Sequence, residues 1–436
     1  MFTHWSVGNR WICVAATLAL LLGLSATTLR IIKKYQTPGP PDGINEGYCD
    51  FHNGIYFPSL AFLRGVSPYG SEYAAEYPVA RQIPFFSPSI LAIHSPLSLL
   101  PLRVSEVLYF VIMVALIVAI SWQSMAAAGL ERRIDWLLAI SAMIVFSRAG
   151  HITLFNGYFT FEMVLAVIVA IRYAESRPMI AALALVIVSA KPTYILPLGF
   201  LMLARGNIKS LAYGAVLSIA TAAIALAWLG HHEGDGDVAK GVNAIRAQIT
   251  EAQEIHNAEP NEIPRLSSTR IDIYAIYSKW TDQIPSDLSH LYVMFAILAW
   301  PMSILFRRSM RSTDDGVAGL TGAIIITGMI VGLYRQSYDT LLLVPPLVGI
   351  AAARLDAWRQ MGLWWRLALI FSMIFPLFNY FSTQIVLGRL NPSPEVFMVL
   401  TSVNGLTMTI LLIALCVFAR NRLSTVAGDG ISGGSN

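Results

Sequence analysis

The sequence predicts an all-α, polytopic integral membrane protein with about twelve transmembrane helices and two outer loops that carry interfacial helices. Three observations predict it. The 436-residue chain is 56% hydrophobic and 13% charged, with a mean hydropathy of +0.60, whereas a soluble domain carries about a quarter charged residues. Apolar runs recur along its whole length, many of them near the roughly 20 residues that cross a bilayer. Lys and Arg gather in the short polar breaks between runs, as they do in cytoplasmic loops. These features exclude a soluble protein with a single anchor. The net charge of +4 is small, and no nucleic-acid partner is expected.

The first apolar run, from Trp11 to Ile32, is followed by Lys33 and Lys34 with no small-residue cleavage site. It reads as an uncleaved first span. The candidate spans are 11–31, 85–101, 104–125, 135–149, 154–172, 178–204, 210–230, 288–306, 316–333, 338–354, 364–382 and 398–419. The 85–101 run is short and holds Pro88, Pro96 and Pro101, and the 178–204 run is broken by Lys191-Pro192 and reads as two half-helices. An even count puts both termini on one side. Arg205 with Lys209, Arg307-Arg308 with Arg311, Arg354 with Arg359 and Arg366, and Arg420 with Arg422 then share that side, the cytoplasm. Glu131-Arg132-Arg133 falls on the other side under this count. The chain reads as one domain over 1–422, with a Gly/Ser-rich cytoplasmic tail at 423–436 that is expected to be disordered.

Two polar stretches remain, 33–84 and 231–287, and both face outside. The second carries His231-His232-Glu233, an expected helix near 238–256, and Arg265 to Tyr274. The three cysteines show no metal-site spacing and make no disulfide framework. His231-His232-Glu233 lacks a further ligand, so no cofactor is required on this reading, although a divalent cation is allowed.

The patterned stretch is the first. Asp50 heads a segment containing Ile55, Tyr56, Phe57, Leu60, Phe62 and Leu63, with Arg64 at its edge, and a Gly65-x-x-Pro68-Tyr69 turn closes it. Such a segment suits the membrane interface and holds a carboxylate at headgroup depth. A base that activates an acceptor hydroxyl against a lipid-linked sugar needs that depth. The plain alternative is a loop carboxylate or helix N-cap.

With Leu63-Arg-Gly65-Val-Ser-Pro68-Tyr69, Tyr77-Pro78, Phe85-Phe-Ser-Pro88, His94-Ser-Pro96-Leu97 and Pro101-Leu102, the segment resembles the first outer loop of GT-C membrane glycosyltransferases. The nearest resemblance is to glycosyltransferase family 87, the polyprenyl-phosphate-dependent mannosyl and arabinofuranosyl transferases of bacteria. Lys191-Pro192 and Tyr338-Asp339 look like later elements of that family. Asn156-Gly157-Tyr158 stands where relatives often show Gly-Gln. The resemblance implies a GT-C-like fold in the bacterial cytoplasmic membrane, with its site facing outside. It implies that Asp50 is a general base in an inverting transfer from a polyprenyl-phosphate sugar donor to a glycolipid or glycan acceptor.

A departing phosphate needs cationic or hydrogen-bonding partners. The candidates for substrate binding are Arg335 and Tyr338 in a short outer turn, Arg270 in the second outer loop, Lys191 within an apolar run, Arg81, and the aromatic Tyr56. Each has a bland counterpart: a solvated loop charge for the arginines, a snorkelling or helix-capping role for Lys191. Glu162, inside an apolar run, needs a partner, and Arg148 or His151 are the local choices. The rival functions are a polyprenyl-linked glycan polymerase or ligase, and a lipid or sugar transporter.

Overall fold

A computed structural model describes residues 8–35, 46–79, 87–130, 133–259 and 262–432. Among the described residues the chain is helical with no strand; Arg270 and Gln336 form one isolated antiparallel bridge. Helices Arg10–Lys34, Leu102–Ala127, Ile208–Glu233, Leu288–Met310 and Pro394–Leu423 are long and apolar enough to cross a membrane. Ile134–Phe146 and Arg148–Asn156, bent by 71° at Ser147, make a sixth if counted as one. Shorter apolar helices run Pro178–Val188, Pro192–Ala204, Leu320–Gly332, Ser337–Ala352 and Leu363–Phe378.

Burial follows the pattern of a protein solvated by lipid. The long helices turn large apolar side chains outward, among them Leu22, Val107, Ile219 and Ile410, which water would penalise. Leu320–Gly332 is apolar all round and buried throughout its length, as a central helix must be. The last helix continues to Ser432, through most of the tail that the sequence reads as disordered; extending an established helix avoids the cost of nucleating a new one.

Side-chain contacts sort the loops into two ends. At the first end Arg133 pairs with Asp135 at 2.7 Å, and Asp135 accepts from the Asn9 N–H at 3.2 Å. Arg354 donates to the Gly129 carbonyl, Arg205 pairs with Asp314, Arg308 pairs with Asp315 at 3.1 Å, and Arg422 donates to the Asp356 carbonyl. The second end gathers Tyr48 against Phe155, Ser87 against Ala190, Arg335 against Thr193, and Ser67 against Glu233.

This sorting corrects one placement. Arg133 lies at the same end as Asn9, Arg205 and Arg354, not opposite them. The reason is the 85–101 run, which forms only the 11-residue helix Pro88–Ser98, about 16 Å long against a hydrocarbon core of about 30 Å. Both its flanks sit at the second end: the Ser87 N–H meets the Ala190 carbonyl, and the Tyr56 hydroxyl donates to the Leu100 carbonyl. The 178–204 run breaks where its sequence says it should. Lys191 precedes a proline and takes an extended backbone, φ −119° and ψ 106°. Arg205 bonds the Ile171 carbonyl and Ser210 the Ala174 carbonyl, so both feet of this hairpin stand at the first end and Lys191 forms its tip at the second.

Candidate functional site

The segment after Tyr48 is helical from Cys49 to Leu63, with one wide π turn over His52–Tyr56. Tyr48 starts it in a left-handed conformation, φ 67°. Its N–H donates to the Phe155 carbonyl at 2.9 Å, docking the segment on the C-terminal end of Arg148–Asn156. That end terminates in a left-handed glycine, Gly157, at φ 74°. A Cβ there would lie 2.8 Å from the Phe51 Cβ and 3.2 Å from the Tyr48 ring. The glycine therefore admits the Tyr48–Phe51 turn and brings Asn156 onto Asp50: Asn156 Nδ2 donates to Asp50 Oδ2 at 3.0 Å. Asn156 Oδ1 and the hydroxyl of Tyr48, at the start of the segment, are buried without a hydrogen-bond partner.

Lys191 stands opposite. Its ammonium lies 4.4 Å from the Tyr158 ring centre, 5.1 Å from Phe159, and 5.7 Å from both Tyr194 and Tyr338. Asp50, Asp339, Glu262 and Arg335 all lie within its electrostatic reach. Among the described residues no carboxylate forms an ion pair with Lys191 or Arg335. Arg335 is fully buried. It stacks on Tyr194 at 4.0 Å and donates to the Tyr334 and Thr193 carbonyls at 2.7 Å, while its Nε has no partner. Aromatic faces favour such a cation, yet leave its full charge available to an anion.

The other buried ions near the site are already satisfied. Arg270 grips Asp272 with two bonds of 3.0 Å and reaches the Glu262 carbonyl. Asp272 also caps Ile273–Thr281 through the Ala275 N–H and accepts from the Arg335 N–H. Burial alone would raise the Asp272 carboxyl; the Arg270 charge and these hydrogen bonds hold it below the ordinary carboxylate value. Glu262 is likewise opposed by burial but held low by His256, Tyr334 and Arg270. Asp339 accepts from the Tyr194 hydroxyl and the Gln336 N–H, fixing the 3-10 turn that presents Tyr338. Arg270 and its partners therefore clip the second outer loop onto the Arg335 turn.

The structure brings Asp50, Lys191, Arg335 and Tyr338 together around one polar centre. Tyr56 sits behind it, buried, with its hydroxyl spent on Leu100. Arg81 lies outside the described residues. His52 faces Glu106 at 2.7 Å, in a cluster with Tyr35 and Arg103. Glu162 is paired with His94 and Tyr109, each at 2.8 Å. The local candidates Arg148 and His151 are both engaged elsewhere, Arg148 with Asn379 and Ser382 and His151 with Thr27 and Arg30. Glu233 holds the Ser67 N–H and Gln248, and the left-handed Gly65 lets His232 pack where a Cβ would clash at 2.3 Å. Among the described residues no three His, Cys, Asp or Glu side chains gather as metal ligands.

Asn156 and the cage residues Tyr158, Phe159 and Tyr194 are the site residues that sequence reasoning passed over. Their signals are present: Asn-Gly ending a helix, an aromatic pair directly after it, and Tyr194 one turn beyond Lys191.

Comparison with known proteins bears on this centre. No curated protein and no solved structure matches the chain. Residues 85–334, more than half of the chain, match the family model of glycosyltransferase family 87. The matched stretch contains Asn156, Lys191 and Arg270, ends one residue before Arg335, and begins after the Asp50 segment that packs on it. The chain thus belongs to glycosyltransferase family 87 and is a glycosyltransferase.

Proposed function

We propose that the protein is an inverting, GT-C-like glycosyltransferase that moves a sugar, mannose or arabinofuranose, from a polyprenyl phosphate to an acceptor hydroxyl at the outer face of the bacterial cytoplasmic membrane. The observation that carries this reading is a carboxylate, Asp50 on Asn156, within electrostatic reach of an ammonium, Lys191, that has aromatic neighbours and no carboxylate ion pair among the described residues.

Asp50 takes the proton of the acceptor hydroxyl. The acceptor oxygen attacks the anomeric carbon as the bond to the phosphate oxygen breaks, and the phosphate leaves with that electron pair. Attack opposite the leaving group inverts the centre, through a transition state of oxocarbenium character. Charge grows on the phosphate as it departs, and Lys191 with Arg335 behind it stabilises that charge in a low-dielectric site. Arg335 contributes the field of its buried charge, with two of its N–H donors held by the Tyr334 and Thr193 carbonyls. Tyr338 lines the cage, and the unpartnered Tyr48 hydroxyl and Asn156 Oδ1 suit a polyhydroxylated acceptor. Arg270 supports the site by fixing the loop beneath Arg335.

The same reading accounts for topology. With Pro88–Ser98 lying at the second end and 178–204 counted as two short legs, the chain passes between the ends about twelve times. Arg133, Arg205, Arg308, Arg354 and Arg422 then share the first end, which is the cytoplasmic one by the positive-inside rule. The donor lipid and the acceptor, a glycolipid or glycan, meet Asp50 from the outer leaflet.

The test is reconstitution in proteoliposomes with radiolabelled polyprenyl-phosphate mannose, polyprenyl-phosphate arabinofuranose or nucleotide sugars, and a membrane lipid extract as acceptor. The reading expects label in acceptor product from a polyprenyl donor only. Transfer from a nucleotide sugar alone, or movement of the labelled lipid across the bilayer without a new glycoside, overturns it.

A further inference from the structure

A second cationic centre lies at the same end, on a different face of the Arg148–Asn156 helix from Asn156. Arg30 Nη1 contacts His151 Nε2 at 2.5 Å, and its guanidinium covers the Phe155 ring at 4.2 Å. The proton inventory fixes the charge of this histidine. The Thr27 hydroxyl donates to the Gly23 carbonyl at 2.9 Å, so it accepts from His151 Nδ1 at 3.1 Å. Nε2 is left to accept from Arg30, and His151 is neutral. Arg148, buried at the Ser147 bend, directs three of its five N–H donors to the Asn379 carbonyl at 2.9 Å and to the Ser382 hydroxyl and carbonyl at 2.5 and 3.2 Å. Tyr380 lies within electrostatic reach of both arginines and donates to the Phe146 carbonyl.

Two full positive charges are thus held by neutral dipoles alone. Among the described residues neither Arg30 nor Arg148 has a carboxylate ion pair. Elsewhere the chain supplies one: Arg205 has Asp314, Arg270 has Asp272 and Arg308 has Asp315. The buried arginine that shares the deficit is Arg335, beside the centre proposed to receive a phosphate. Uncompensated charge in apolar surroundings is costly, and a planar guanidinium matches phosphate oxygens in geometry as well as charge. Arg30 lies one turn before Lys33 and Lys34 at the end of its helix. Tyr380 and Phe381 are exposed beside it, as aromatic side chains are at headgroup level.

We propose that Arg30 and Arg148 form a binding site for the phosphate of an anionic lipid headgroup, with His151 holding Arg30 in place, separate from the Asp50–Lys191 centre. The proposal does not depend on the donor or acceptor assigned above. The lipid phosphate supplies the counter-charge that the chain omits, reached between the Arg10–Lys34 helix and the Asn379–Ser382 turn.

The experiment is thermal unfolding of the full-length protein in a neutral detergent, with short-chain phosphatidylglycerol, short-chain phosphatidylcholine or inorganic phosphate added. Phosphatidylglycerol is expected to raise Tm by a few degrees and the zwitterionic phosphatidylcholine to leave it unchanged. An equal shift with inorganic phosphate keeps the phosphate site and overturns the lipid as its source. Arg30→Gln, at a half-buried position, should abolish the shift. His151→Asp should raise Tm without ligand, because it installs the missing carboxylate, and should also abolish the shift. Asp50→Asn should keep the shift in full. Absence of any shift in the unsubstituted protein, or its persistence in both Arg30→Gln and His151→Asp, overturns the proposal.

Discussion

Asn156 donates its side-chain amide to Asp50 at 3.0 Å across 106 positions of sequence. It helps to orient Asp50, a partly buried carboxylate. Asn156→Ala should leave the fold intact and lower the transfer rate by roughly tenfold, the cost of about 1.4 kcal/mol of lost orientation. Asn156→Asp sets a like charge against the base and raises its pKa. The acid limb of the pH–rate profile should then move to higher pH, because Asp50 must be deprotonated to act. An unmoved limb in Asn156→Asp would remove Asp50 from the role of base.

Gly157 permits that contact. Its φ is 74°, and the Phe51 Cβ lies only 2.8 Å from where a Cβ on Gly157 would stand. Gly157→Ala therefore carries backbone strain of roughly 1–2 kcal/mol and pushes the Tyr48–Phe51 turn away. We expect a large loss of transfer with a modest fall in Tm, and retained binding of a polyprenyl-phosphate analogue through Lys191. Activity near that of the parent would show that the turn tolerates displacement.

Lys191→Met fills the same volume without charge. On the proposed mechanism it should lower kcat/KM for the donor by roughly 30-fold, corresponding to about 2 kcal/mol. Lys191→Arg should not rescue it, since four rings within 5.7 Å leave little space for a larger planar group. Steady-state kinetics with varied donor separates this from an acceptor effect.

Features set by local chemistry were legible in the sequence. Lys191-Pro192 announced a broken run, since the residue before proline leaves the helical region. Gly65 announced a turn, and the apolar segment behind Asp50 announced a helix, although Ile55, Tyr56, Phe57 and Phe62 bury inside the protein and not along an interface. Features set by long-range packing were not. Glu162 was offered partners on neighbouring turns of its own stretch, but its partners are His94 and Tyr109, carried by segments that only the fold brings alongside. The Arg133 placement failed for a similar reason: hydropathy sees an apolar run at 85–101, but the direction in which a short helix lies depends on what it packs against. Arg270 was visible as a cation, and so was Asp272 two residues on. That they grip each other, and so make Arg270 a clip, depended on backbone geometry that spacing does not give.

The Arg270–Asp272 clip sets a pH dependence. Asp272 titrates below its unfolded value because Arg270 and backbone N–H groups favour its charged form over the opposing effect of burial. A depressed carboxylate contributes stability that is fully present above the unfolded value of about 3.9 and is lost as pH falls through the folded value. Tm should therefore fall as pH drops below about 4. Asp272→Ala strands a buried guanidinium at a cost of about 3–5 kcal/mol, and the remaining protein should lose part of that acid sensitivity. Thermal unfolding of both proteins between about pH 3 and pH 7 checks this.

Asp50→Asn tests most directly whether Asp50 removes the acceptor proton. The amide keeps the shape of the carboxylate and cannot take a proton. Transfer from polyprenyl-phosphate sugar to acceptor should fall at least about a hundredfold, with Tm and donor-analogue binding unchanged. An Asp50→Asn protein that transfers sugar at the parental rate would contradict the assignment of Asp50 as the base.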